Sequence, residues 1–104
     1  MTVGDWLRDK NPAPPARLAA RIETALGARS AEPASNAAIV CLDACETLLA
    51  DVAARPSPGR ESALDLLAAD ALATYALEAA AESPAALEAR AHEAMTRLSA
   101  IAGG

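Results

Sequence analysis

Phenylalanine is missing from the chain, and tryptophan and tyrosine occur once each. A core that aromatic rings commonly dominate must here be assembled from aliphatic side chains and from backbones that approach closely. Histidine also occurs once and cysteine twice, which falls short of a four-ligand structural zinc site built from Cys and His. Runs of Lys or Arg are absent and the net charge is −5. The chain therefore lacks the positive footprint of a nucleic-acid binder or of a protein held on an anionic membrane. No uncharged apolar run approaches the ~20 residues that span a bilayer. The opening Met1-Thr2-Val3-Gly4-Asp5 has neither the basic region nor the apolar region of a secretory leader. With only two cysteines, a cytoplasmic location is the expectation.

What the chain does have is alanine. Of its 104 residues, 53% are apolar and only 2% aromatic, and alanine supplies much of that apolar fraction. Alanine has the highest intrinsic helix propensity and β-favouring residues are scarce, so the composition predicts an all-α fold. The length suits one domain, 1–104, with a single core.

Periodicity divides the chain into five helical segments. Thr2 and Asp5 form a helix-start box, with Val3, Trp6 and Leu7 on one face, predicting a short lead-in helix over about 2–10. Asn11-Pro12 ends it, and Pro14 or Pro15 opens the next helix, about 15–26, whose stripe is Leu18, Ile22, Ala25 and Leu26 and whose stop is Gly27. The segment 28–34 reads as a loop. Ser35 or Asn36 is the candidate cap of a helix over about 36–54, with Cys41, Cys45, Leu48 and Val52 on its apolar face, widened by Leu42 and Leu49. After Pro56-Ser57-Pro58-Gly59, a helix over about 60–82 is apolar around most of its circumference, its polar residues Asp70, Thr74 and Glu78 forming one narrow stripe. Ser83-Pro84 then starts a helix over about 84–101, with Leu87, Ala91, Ala94, Leu98 and Ile101 on one face and Met95 at its edge. Short linkers make successive helices antiparallel neighbours, so the sequence predicts an antiparallel four-helix bundle preceded by a short N-terminal helix.

Three constellations qualify as candidate chemistry. Cys41 and Cys45, at i and i+4, point the same way and would suit a soft metal or a redox partner, although both lie within an apolar stripe where small buried hydrophobes serve equally well. Asp70, Thr74 and Glu78 are flanked by leucines, so a partly buried acid there would act as an acid or a cation ligand; the plainer reading is a solvent edge, with Thr74 bonded back to its own helix. His92 follows Glu88 by one turn, but the spacing is not the Glu-x-x-His of di-iron bundles, and the polar face suits a solvated histidine. No phosphate loop or nucleophile motif occurs. The expectation is accordingly no enzyme, no catalytic residue and no cofactor or metal.

The stretch Leu66 to Glu78, with its Leu-x-x-Ala-Asp-x-Leu-x-x-x-Ala core, resembles the Leu-x-x-Gly-Asp-x-Leu-x-x-x-Ala helix of all-helical isoprenyl diphosphate synthases. Ala69 replaces the glycine and the paired Asp-rich metal motifs are lacking. No catalytic role carries over to these residues.

A helix apolar nearly all round needs more cover than one four-helix bundle provides. The expected function is therefore a non-enzymatic interaction or structural domain that self-associates as a homodimer. Its interface candidates are Leu66, Ala69, Ala73, Leu77 and Ala80, the face opposite Leu64, Ala71 and Tyr75. The alternative is a small-molecule or metal-binding bundle using Cys41 and Cys45 or the Asp70–Glu78 stripe.

Overall fold

The computed structural model describes residues 1–56, 59–82 and 84–103. Among them it is all-helical, without a strand, in the order α1 (Val3–Arg8), α2 (Ala16–Leu26), α3 (Ala37–Ala53), α4 (Arg60–Ala81) and α5 (Pro84–Gly103). Two 3-10 turns, Gly27–Ala31 and Ala34–Asn36, join α2 to α3.

Local chemistry sets the helix ends. The Asp5 N–H donates to Thr2 Oγ1 at 3.1 Å while the Thr2 N–H donates to Asp5 Oδ2 at 3.0 Å, a reciprocal cap that starts α1. α2 stops at Gly27, whose φ of 54° lies in the left-handed region open to glycine. At α3 neither Ser35 nor Asn36 caps through its side chain. The Ala34–Asn36 turn leads into the helix instead, and Asn36 Nδ2 donates to Glu32 Oε1 at 3.2 Å. The Ser83 cap and residues 57 and 58 of the Pro-Ser-Pro-Gly break lie outside the described residues.

The centre of the fold is the α3–α4 pair. Its antiparallel course shows at one end, where Arg55, just past α3, bonds Ser62 and Asp65 early in α4, and further along, where Cys45 lies within electrostatic reach of Asp70 and Cys41 within reach of Tyr75. Ala37 and Ala44 on α3, and Ala68, Ala69, Ala76 and Ala80 on α4, are all buried. Side chains this small allow helix axes to close toward the ~8 Å end of the packing range, so that a core without phenylalanine can still be filled. Leu72, Val40 and Cys41 fill the remaining space, with Val3, Trp6, Ile22 and Leu26 added from α1 and α2.

α1 and α2 cover one side of this pair. The Val3 N–H donates to the Glu32 carbonyl at 2.9 Å and the Ala34 N–H to the Met1 carbonyl at 3.0 Å, so the N-terminus is stitched to the loop before α3. Trp6 meets the Tyr75 ring edge-on, with centroids 6.4 Å apart. The lead-in helix thus covers part of the apolar circumference of α4.

On α5 the described apolar side chains are exposed. Met95 is 63% and Leu98 60% exposed, although both belong to the stripe that amphipathicity assigns to a core. Ala91 is exposed too; Leu87, Ala94 and Ile101 lie outside the described side chains. The Cα radius of gyration is 14.9 Å, against about 13 Å for a compact chain of this length.

Candidate interaction surface

Cys41 and Cys45 are free and buried. Burial pushes the Cys41 thiol up to about 11, and burial together with the carboxylates of Glu46 and Asp70 raises that of Cys45. A raised thiol is a poor nucleophile and a poor metal ligand at neutral pH. Among the described residues no group of three His, Cys, Asp or Glu side chains is placed to hold a metal ion.

The Asp70, Thr74 and Glu78 stripe is exposed. The Thr74 hydroxyl donates to the Asp70 carbonyl at 3.1 Å, tying it to its own helix, and Glu78 pairs with Lys10 at 3.0 Å. The three side chains therefore do not converge. Glu88 and His92 are exposed on α5.

Two polar clusters escaped the sequence reading. Asp65 is 3% exposed and lies between Arg21 Nε and Arg55 Nη2, the second contact 2.5 Å long, while Arg55 Nη1 donates to Ser62 Oγ at 3.0 Å. Both guanidiniums hold the Asp65 carboxyl below its usual range, Arg21 foremost. This acid joins α2, the end of α3 and the start of α4. Its signal in the sequence was an acid inside the arc of Ser62, Ala69, Leu72 and Ala76, where a leucine would be ordinary. The second cluster centres on Lys10, whose ammonium lies 3.5 Å from the Trp6 ring centroid, a cation–π contact, and also pairs with Glu78.

Among the described residues nothing covers the side of the α3–α4 pair turned away from α1 and α2. Leu42 and Leu49 lie two turns apart on α3, with buried Cys45 between them; Leu66 and Leu77 lie three turns apart on α4, with buried Ala69 and half-buried Ala73 between them. In an antiparallel pair these two strips fall on the same side of the seam, and the field of Asp70 at Cys45 ties them together. Leu64, Ala71 and Tyr75, on the opposite flank of α4, are half-buried. The interface candidates are thus divided in role: Leu66 and Leu77, the latter 72% exposed, stand free; Ala73 is half-covered; Ala69 floors the strip; and Ala80, 7% exposed, is already covered within the chain.

A cavity of about 420 Å³ opens between α1, α2 and Tyr75, with Leu7, Ile22 and Leu26 on its apolar wall and Arg8, Glu23 and Ser30 beside them. Its size suits a small molecule. Its polar groups are largely engaged: Arg8 Nη1 lies 2.7 Å from Asp5 and the Ser30 hydroxyl donates to the Gly27 carbonyl at 3.0 Å. The leucine strip of α3 and α4 is the more distinctive surface. No family model, curated protein or solved structure matches the chain.

Proposed function

We propose that this protein is a non-enzymatic, cytoplasmic interaction or structural domain that self-associates as a homodimer, completing an antiparallel four-helix bundle on the open side of α3 and α4. The observation that carries the reading is the strip of Leu42, Leu49, Leu66 and Leu77 over the alanine and cysteine floor. Scattered leucines on a surface are ordinary, but four aligned along one antiparallel seam form a continuous apolar band. Met95 and Leu98 on α5 are exposed as well.

Light scattering at micromolar concentration tests this, on the unmodified chain and on Leu77→Glu. A dimer that becomes a monomer on substitution, with its helical circular dichroism intact, supports the reading. A monomer unaffected by the change overturns it. The second reading, small-molecule binding, draws support from the cavity beside Tyr75 rather than from Cys41 and Cys45. A ligand seated there would alter the emission of Trp6, whose ring lies against Tyr75.

A further inference from the structure

Within this one chain two apolar strips lack a partner. The first is the α3–α4 strip of Leu42, Leu49, Leu66 and Leu77; the second is Ala91, Met95 and Leu98 on α5. Their dimensions match: α5 has 20 residues and α4 has 22, so both are about 30 Å long at 1.5 Å per residue.

Direct docking of two α3–α4 faces would cover the first strip and leave Met95 and Leu98 in water. Docking of α5 on the open face covers both. The connection bears on whose α5 it is: only two residues separate Ala81, the end of α4, from Pro84, the start of α5. Helical hairpins use loops of about two to five residues. A connection at the bottom of that range leaves little slack for turning the second helix back, and short hinges under strain favour exchange between copies. The described side chains of α5 indeed point into solvent rather than onto their own α4.

One charge at the rim suits this arrangement. Glu46 and Asp70 border the open face, and among the described residues neither is paired with a base. Arg97, next to Leu98 on α5, is paired only within its own helix, to Glu93 at 2.6 Å. We infer, resting on the self-association reading above, that the open α3–α4 face receives α5 of a second copy of this chain, so that two copies exchange α5 reciprocally. Two docked helices about 30 Å long and 10 Å wide hide on the order of 1,200 Å² in total, the lower end of what a stable dimer buries.

The test uses two full-length variants, a face variant with Leu49→Glu and Leu77→Glu and an arm variant with Met95→Glu and Leu98→Glu. All four positions are exposed, so the cores are spared. Exchange predicts that each variant alone halves the scattering mass, with helical circular dichroism retained. It also predicts that an equimolar mixture of the two forms more dimer than either variant alone, because the arm variant still offers an intact face and the face variant an intact α5, which restores one of the two dockings. An arm variant that remains dimeric while the face variant is monomeric overturns exchange and leaves self-association standing through the faces alone. A mixture with no more dimer than either variant alone overturns exchange in the same way. An unmodified chain that is monomeric overturns both readings.

Discussion

Trp6 and Glu82 are separated by 76 positions, and the indole Nε1–H donates to both oxygens of the Glu82 carboxylate, at 3.0 and 3.3 Å. The contact joins the first helix to the residue that caps the C-terminal end of α4. Beneath it, the indole packs edge-on against Tyr75 and under the Lys10 ammonium. The clamp therefore combines a charge-assisted hydrogen bond at the rim with ring burial beneath, and the two parts differ in energy.

Replacing the ring tests the buried part. Trp6→Ala should cost about 3–5 kcal/mol, the range for removing a large buried aromatic side chain. Glu82→Gln, which keeps an acceptor but removes the charge, should cost no more than about 1 kcal/mol at this partly solvated rim. Denaturant midpoints followed by circular dichroism would measure both, and equal losses would contradict the division proposed for the clamp.

Asp65 sets an acid limit on stability. Its folded-state pKa is held below the unfolded value by Arg21 and Arg55, so its contribution is complete above the unfolded value and is lost as pH falls through the folded one. Denaturation curves taken between pH 6 and pH 2 (roughly the range spanning carboxyl titration) should show stability falling in the lower part. Asp65→Asn should lower stability at neutral pH by about 3 kcal/mol, because it leaves two guanidiniums without their shared anion. It should also flatten the acid limb without abolishing it, since Asp5 and Glu32 are lowered as well.

Which parts of the fold were legible follows from how far each signal reaches along the chain. The Thr2–Asp5 cap, the Gly27 stop and the return bond of Thr74 join residues within four positions of one another, and such local chemistry is written in order. The Asp65 cluster is only half written, because an acid in an apolar arc signals that a partner is needed but Arg21, which supplies it, stands 44 positions away. The stitching of residues 1–3 to 32–34 uses backbone groups, which every residue carries, so no side chain marks it. Of the expected interface set, Leu66 and Leu77 are free because the apolar arc of α4 exceeds what α1, α2 and α3 cover, whereas Ala69 and Ala80 sit where those neighbours reach. A stripe such as Met95 and Leu98 shows that a helix needs cover; periodicity alone does not show which surface supplies it.

The thiols should be slow to react. With Cys41 pushed up to about 11, its thiolate fraction at pH 8 is on the order of a hundredfold below that of a free cysteine. A disulfide reagent should therefore modify native protein far more slowly than protein in guanidinium, where both thiols should titrate at once. Rapid modification of Cys41 in the native state would show that the α3–α4 seam opens readily.

The seam itself can be probed by enlarging it. Ala68, with 0% exposure, should resist Leu at a cost of about 1–3 kcal/mol from overpacking. Its neighbour Leu67, which is exposed and lies off the proposed dimer face, should accept Ala with a change under about 0.5 kcal/mol. Calorimetric unfolding of the two variants would separate them by several degrees.

The alanine seam also bears on how this chain can change over generations. A core of leucines and phenylalanines tolerates drift by shrinking at one place and growing at another. At Ala37, Ala44, Ala68, Ala69 and Ala76 little is left to remove, so nearly every random codon change there adds atoms where two backbones already meet. Variation should then be channelled to α5 and the outer surfaces, and homologues in other genomes would be recognised more readily by the spacing of their alanines than by overall identity.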